Sequence, residues 1–279
     1  MTVTHTLTTI NQAVEIGQAL PRSWFRGHSN TYNKLVPSVF RPGSWLPPTV
    51  IDSERRYLAE FKRAAPSLLP PASQPNDDIG WLFLAQHHGL PTRLLDWTQS
   101  VLVGVYFATN HQEQDGELWA INPFHLNALS SLDGIATAYD APVLQFAHEA
   151  MVRIAPSEGE ATKLWFPIAL LPPMVFPRLV SQLSAFTIHP RPYQNGELQE
   201  LLPNDQDLVR YFIPAHCKGP MRSDLAELGI TQRTMFQDLD SLSASIVEGL
   251  PRMQEQRQPP HWDAANASAI PAKSNPGQP

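Results

Sequence analysis

A chain of 279 residues has room for one large domain or two small ones and for a sizeable buried core. A net charge of −6, with 42% hydrophobic and 16% charged residues, argues against a protein that coats nucleic acid through a basic surface but leaves room for a local basic pocket. Its single cysteine, Cys217, excludes an internal disulfide and a cysteine-based metal cluster, and it reads as a small buried apolar side chain.

The 28 prolines, roughly twice average usage, predict many loops and short elements. A first helix is expected near 6–20, with threonines to cap it, Ile10, Val14 and Ala19 on one face, and Pro21 to end it. SWFRGHSN reads as a strand leading into a turn at Gly27. Residues 35–48 carry Pro37, Pro42, Pro47 and Pro48 and form a loop. A stronger helix follows, capped by Asp52 or Ser53, with Glu54 in its first turn and Leu58, Phe61, Ala65 and Leu68 at helical spacing. Its other residues, Arg55, Arg56, Glu60, Lys62 and Arg63, make a solvated face.

Residues 81–109, WLFLAQHHGLPTRLLDWTQSVLVGVYFAT, place Gln86, His87, His88, Arg93, Asp96 and Thr98 between two apolar runs. Burying such groups costs free energy unless each finds a partner. The stretch is therefore either a site or a satisfied network, such as an Arg93–Asp96 pair with Thr98 as a cap. Asn76 or Asp77 caps a helix whose apolar face is Ile79, Leu82 and Phe83. One further turn of that face lands on Gln86 and His87, which points both inward, while His88 points elsewhere. Gly89 and Pro91 close the helix. LPTRLLDWT is a loop or short strand; if extended, Asp96 and Thr98 share one face and Trp97 takes the other. Thr98 or Ser100 caps VLVGVYFAT, a helix apolar nearly all round and so buried.

Asp115-Gly116 marks a turn into the strand ELWAIN, which Pro123 stops. The signal from 123 to 156 supports only short helical pieces. WFPIALL, PRLVSQLSAFTIH and LVRYFIPAH then read as strands, and helices over 221–228 and 236–250 follow, the second with Leu239, Leu242, Ile246 and Leu250 in period. From Pro251 the composition turns to Pro, Gln, Ala, Asn and Ser, that of a disordered tail. There is no basic-then-apolar leader and no apolar run near the ~20 residues needed to span a bilayer, so the chain reads as cytoplasmic with no membrane partner.

Four separated blocks resemble the FRG-domain family. They are Phe25-Arg26-Gly27; the run Gln86, His87, Gly89, Pro91, Thr92, Leu94, Leu95, Asp96, Trp97, Thr98; Val105-Tyr106-Phe107-Ala108; and Arg178, Gln182, Phe186, Thr187. The resemblance spans about 22–250, which implies an N-terminal helix over 1–21, the FRG domain over 22–250 and the tail over 251–279. It implies a protein found near mobile elements and microbial defence or toxin modules. The order of motifs is similar, more distantly, to ADP-ribosyltransferase folds. Those carry an Arg or His on a first strand, a Ser/Thr strand before a buried helix, and a late Glu or Gln. Arg26, the Asp96-Trp97-Thr98 strand and Gln182 fill those places in order. The expected fold is thus an α+β single domain with a mixed or split antiparallel sheet flanked by helices, ADP-ribosyltransferase-like in pattern.

The candidate catalytic residues are Arg26, His87, Asp96, Thr98 and Gln182; the candidate ligand contacts are Phe25, Gly27, Gln86, Thr92, Arg93, Trp97 and Tyr106. Arg26 offers a planar fork of donors for a phosphate or a carboxylate, and Gly27 beside it lets backbone approach a ligand closely. His87 titrates near neutrality and suits proton transfer, or it is a satisfied core histidine. Asp96 orients Arg26 or a ribose; Thr98 caps the next helix; Trp97 stacks on a ring or fills the core. Gln182 is neutral where cleavage of a glycosidic bond calls for a negative charge, and Glu197 and Glu200 lie in a solvated GELQELLPN segment. No metal spacing, Gly-rich phosphate loop or Ser-His-Asp order is recognisable. The resemblance implies a nucleotide-binding cleft that uses NAD, with a protein or nucleic-acid acceptor. The alternative is a non-enzymatic module that senses a nucleotide or nucleic-acid end.

Overall fold

Short β-rich runs separated by prolines cannot each bury a face alone, and among the described residues they pair into one eight-stranded sheet. The structure is a computed structural model that describes residues 4–32, 34–41, 50–111, 113–140, 166–189, 198–204 and 206–255, with backbone only at 50–53, 72 and 248–255. In chain order, β1 (Thr4–Thr6) leads to α1 (Ile10–Ala19), capped by the Thr9 hydroxyl. β2 (Trp24–His28) and α2 (Val50–Ala64) follow, then α3 (Asp78–His87), β3 (Leu94–Thr98) and α4 (Val101–Ala108). Next come β4 (Gly116–Ile121), α5 (Pro123–Ala128), β5 (Ala136–Thr137), β6 (Ile168–Leu171), α6 (Pro177–Ser181) and β7 (Ser184–Ile188). The described chain ends with α7 (Leu198–Leu201), β8 (Leu208–Ile213), α8 (Ala215–Glu227), α9 (Gln232–Phe236) and α10 (Leu239–Glu255).

The strands lie in the order β1-β8-β4-β2-β3-β7-β6-β5. The two outermost pairs, β1 with β8 and β5 with β6, are parallel and the rest antiparallel, so the expected mixed sheet is present. The central junction is the thin one. β2 and β3 share a single register pair, Phe25 with Thr98, whereas β2–β4 has five and β3–β7 has five.

Strand alternation sorts the core. On one face, Trp24, Trp119, Leu95 and Trp97 pack in a cluster that runs across the centre of the sheet. The other face divides in two. Phe25, Leu118 and Ala120 pack with α4 and α8, while Leu94, Phe186 and Leu170 pack with α3 and Leu179. The division falls at the β2–β3 junction. There α4 lies hard against β2: a Cβ on Gly27 would sit 2.0 Å from the Gly104 carbonyl oxygen and 2.5 Å from the Ala108 nitrogen. The buried Lys218 ammonium donates to the carbonyls of Ser29, Asn110 and His111, at 2.7, 3.3 and 3.2 Å, and so ties the end of α4 to the turn after β2.

Several elements depart from the sequence reading. α1 buries Ile10 and Ala13, whereas Val14 is exposed. α2 begins at Val50, ahead of the expected Asp52 or Ser53 cap, and the 3₁₀ turn at Ala65–Leu68 breaks its period and leaves Leu68 exposed. Asp77 caps α3 and Ser100 caps α4, and Gly89 closes α3 at φ +81°. Pro123 stops β4 but opens α5 at its first turn, where a missing N–H costs nothing. Residues 177–189, expected as one strand, are α6, a turn and β7. α8 starts at Ala215 with Pro220 inside it, the helix expected over 236–250 is α10, starting at Leu239, and the short α9 ahead of it is unexpected. On α10, Leu239 and Ile246 are exposed because no described element covers that stripe. Residues 251–255 continue α10; the rest of the expected tail, and residues 141–165, lie outside the described residues.

Candidate functional site

A cavity of about 290 Å³ opens where the two halves of the divided face meet. Phe25 and Phe107 wall it from the α4 side, and Phe83, Leu179 and Phe186 from the α3 side. Arg26, Gln86, His87, Asp96, Arg178 and Gln182 give it polar edges. Its size is at the low end for small-molecule pockets, and aromatic walls with a few convergent polar groups are what such pockets present.

The site owes its position to the thin junction. Past the Phe25–Thr98 pair, β2 and β3 part company, which leaves the Asp96 carbonyl without a ladder donor. The Arg26 guanidinium takes that place and donates from Nη1 to the Asp96 carbonyl oxygen at 2.6 Å, with the Asp96 carboxylate at 3.6 Å. Arg26 Nε donates to His28 Nε2 at 2.8 Å. Because a guanidinium N–H can only donate, His28 Nε2 is an acceptor and its proton sits on Nδ1, which donates to Glu117 at 2.7 Å. Burial, and then the Arg26 charge, lower the His28 pKa to about 4, so this neutral tautomer persists at pH 7. Burial alone would raise the Glu117 pKa, but the His28 bond and the Arg210 charge hold it low; Arg210 Nε donates to the carboxylate at 2.9 Å. The chain Asp96–Arg26–His28–Glu117–Arg210 thus spans four strands, β3, β2, β4 and β8, and fixes the Arg26 fork at the edge of the cavity.

All five candidate catalytic residues line this one cavity, from Arg26 on β2, His87 on α3, Asp96 and Thr98 on β3, and Gln182 after α6. They differ in how far they are already engaged. The Asp96 side chain is 55% exposed, accepts from Gln86 Nε2 at 2.9 Å, and is the sole acidic group among the described lining residues. His87 is half-buried with its ring stacked on Phe176, centroids 4.5 Å apart at 8°. Burial, then His88 and Arg178, lower its pKa, so it is a neutral proton acceptor near pH 7. Thr98 is committed: its one hydroxyl proton goes to the Gln182 carbonyl at 2.7 Å, and the oxygen accepts from the Ser100 N–H at 3.1 Å. The Gln182 amide donates to the Met235 carbonyl at 3.0 Å.

Of the expected ligand contacts, Phe25, Gly27, Gln86 and Trp97 line the cavity. Gly27 is small because α4 approaches it, not because a ligand must. Trp97 is a core residue whose indole N–H donates to Thr187 at 3.0 Å. Thr92, Arg93 and Tyr106 do not line the cavity. Thr92 is fully buried and donates to the Gln86 side-chain oxygen, and Tyr106 is a core residue under the Arg222 guanidinium. Arg93 pairs with Glu54, its Nε donating at 2.7 Å and its backbone N–H at 2.9 Å. The expected Arg93–Asp96 pair is not formed: Arg93, just ahead of β3, turns to Glu54 on α2, while Asp96, three residues further on, faces the cavity. Glu54, read as an ordinary first-turn acid, is 2% exposed.

Phe83, read from the sequence as an apolar helix face, and Phe107, Arg178 and Phe186, read as parts of motif blocks, carry no expected ligand contact, yet all four line the cavity. Arg178 and Phe186 sit with Gln182 at four-residue spacing in one block, and that grouping is the signal that the three share a site. Glu117 and Arg210 had no local signal; their partners are 89 and 93 residues away. Among the described residues no group of three or more His, Cys, Asp or Glu side chains could hold a metal, and no helix is long and apolar enough to cross a membrane.

No curated protein and no solved structure matches the chain. The family match stops at Glu117, well short of the 22–250 span expected, so Arg178, Gln182 and Arg210 fall outside it. Residues 21–117 match the FRG domain, a span that takes in β2, α2, α3, β3 and α4 and with them Arg26, His87 and Asp96.

Proposed function

We propose that this cavity binds a nucleotide-like ligand, NAD first among them, and transfers its ADP-ribosyl group to a protein or nucleic-acid acceptor, as a toxin or defence effector would. The single observation that carries the reading is the convergence of Arg26, His87 and Asp96 on one aromatic-walled cavity. Arg26 and Arg178 supply forks of donors for phosphate oxygens, and Phe83, Phe107 and Phe186 supply flat walls for a ring. As the bond between ribose and nicotinamide breaks, positive charge develops on the ribosyl carbon, and the Asp96 carboxylate is the group that stabilises it. Neutral His87 accepts the proton that the acceptor nucleophile loses. Asp96 thereby takes the part expected of a late glutamate, and Gln182 serves to hold the turn after α6 in place.

Incubation with labelled NAD and lysate tests this. Label transfer or nicotinamide release by the wild type, lost in Arg26→Ala, is the expected result; no turnover together with no NAD-induced thermal shift would sink it.

A second reading, a non-enzymatic sensor, is favoured by the engagement of Thr98 and Gln182 in structural hydrogen bonds. It predicts stabilisation by a nucleotide without turnover, and a measured turnover ends it.

A further inference from the structure

A larger chamber of about 540 Å³ adjoins the first and shares Arg26, Gly27 and Phe107 with it. Its cationic side chains are already engaged. Arg26 donates to the Asp96 carbonyl and to His28, Arg41 Nε donates to the Val36 carbonyl at 3.0 Å, and Lys34 is likewise partnered. What the chamber leaves unused is neutral. Among the described residues, the Ser29 hydroxyl and the Asn110 side-chain amide, on two half-buried residues of its lining, make no hydrogen bond. Tyr32 lines the same chamber and is 57% exposed, yet it is held at both ends. Its backbone N–H donates to Glu117 at 3.3 Å, its hydroxyl accepts from Asn30 at 3.3 Å, and its ring lies edge-on to His28 with centroids 5.5 Å apart. A ring that is both exposed and fixed is a stacking platform that needs no ordering when a ligand arrives.

From this we infer that the second chamber takes the uncharged purine base of a nucleoside, stacked on Tyr32, with Asn110 and Ser29 meeting its polar edge. An amide offers a donor and an acceptor side by side, which is the complement of the amino group and ring nitrogen of adenine, and neither partner needs a charge. The inference rests on the nucleotide reading of the aromatic cavity and divides that ligand between the two chambers. Asp96 and His87 line only the first, so the bond to be cleaved lies there, and the nicotinamide ring with it. The larger chamber takes the larger ring.

Ligand-observed NMR titration of the full chain, without NAD, tests the subsite with adenosine, uridine and nicotinamide as probes. Adenosine should bind, and added salt should leave its affinity unchanged because the base carries no charge. Tyr32→Ala should weaken adenosine by about tenfold and Asn110→Leu by several-fold, with nicotinamide binding unchanged in both. Tyr32→Phe, which keeps the ring, should stay close to the wild type. Tyr32→Ala, at an exposed position, carries the test if Asn110→Leu fails to fold. Absence of adenosine binding, or equal binding by wild type and folded Tyr32→Ala, overturns the subsite even if NAD is turned over. Uridine that binds as tightly as adenosine overturns the assignment of a purine. Adenosine binding that depends on Tyr32, without NAD turnover, keeps the subsite and removes the transferase reading.

Discussion

Arg26 has two jobs that pull in one direction. Its Nη1 completes the hydrogen bonding of a strand that has left the ladder, and that same bond holds the guanidinium at the cavity mouth. The Asp96 carboxylate is half exposed, and the bond it accepts from Gln86 is one that an amide oxygen can accept as well. Asp96→Asn should therefore fold with little change in melting temperature and lose about a hundredfold or more in turnover of NAD. Gln182→Ala should do the reverse. Removing its bond to Met235 should cost about 1 kcal/mol in urea unfolding while turnover stays within a few-fold. Turnover that falls as far in Gln182→Ala as in Asp96→Asn would restore Gln182 to the chemistry.

Among elements, the approach of α4 to β2 and the anchoring of β3 to α2 set the shape of the site. A methyl group on Gly27 would meet backbone atoms at 2.0 and 2.5 Å that have nowhere to go. Gly27→Ala should cost about 3 kcal/mol or more, read as a lowered urea midpoint or loss of soluble protein. The Glu54–Arg93 pair holds α2 against the start of β3, with both side chains almost wholly buried. Glu54→Ala strands a buried guanidinium and should cost about 3–5 kcal/mol, whereas replacing the pair together by Leu and Met should recover most of that loss. Equal destabilisation by the single and double changes would count against this account.

Across the whole molecule, buried neutral histidines tie stability to pH. His28 and His189 have folded pKa values of about 4 and about 3, against an ordinary value near 6.5. Burial is the main cause in both, with the Arg26 charge next for His189. Between those limits the unfolded chain binds protons that the folded chain does not, so stability is full above about 6.5 and falls as pH drops towards 4. For His28 alone the loss by pH 4 is on the order of 3 kcal/mol. Thermal melts from pH 7.5 to 4 should be flat at first and then descend, and His28→Gln should flatten the descent. A stability maximum near pH 5 would contradict the assignment.

Much of this architecture is legible in the amino-acid order because its causes are local. Asp77 and Ser100 cap their helices, Gly89 closes one, and the face of Ile79, Leu82 and Phe83 carries Gln86 and His87 to the cavity, all through contacts within a turn or two. Strand alternation likewise put Asp96 and Thr98 on the face opposite Trp97. Where two periods compete, as in the helix–turn–strand of 177–189, a short apolar run does not distinguish them.

Periodicity in the amino-acid order is enough to set Gln86 with His87 on one helix face and Asp96 with Thr98 on one strand face, and the resemblance in motifs adds Arg26 and Gln182 as candidates for the same place. The pairing of charges is settled by packing between distant elements. Arg93 meets Glu54 at a separation of 39 residues and Arg26 meets Asp96 at 70, because charges are satisfied across packed elements and not along the chain. The tertiary structure also decided that Thr98 and Gln182 are tied into the frame while Asp96 faces the cavity. The cavity itself exists because β2 and β3 pair at one position and then separate, and no local pattern encodes where a sheet divides.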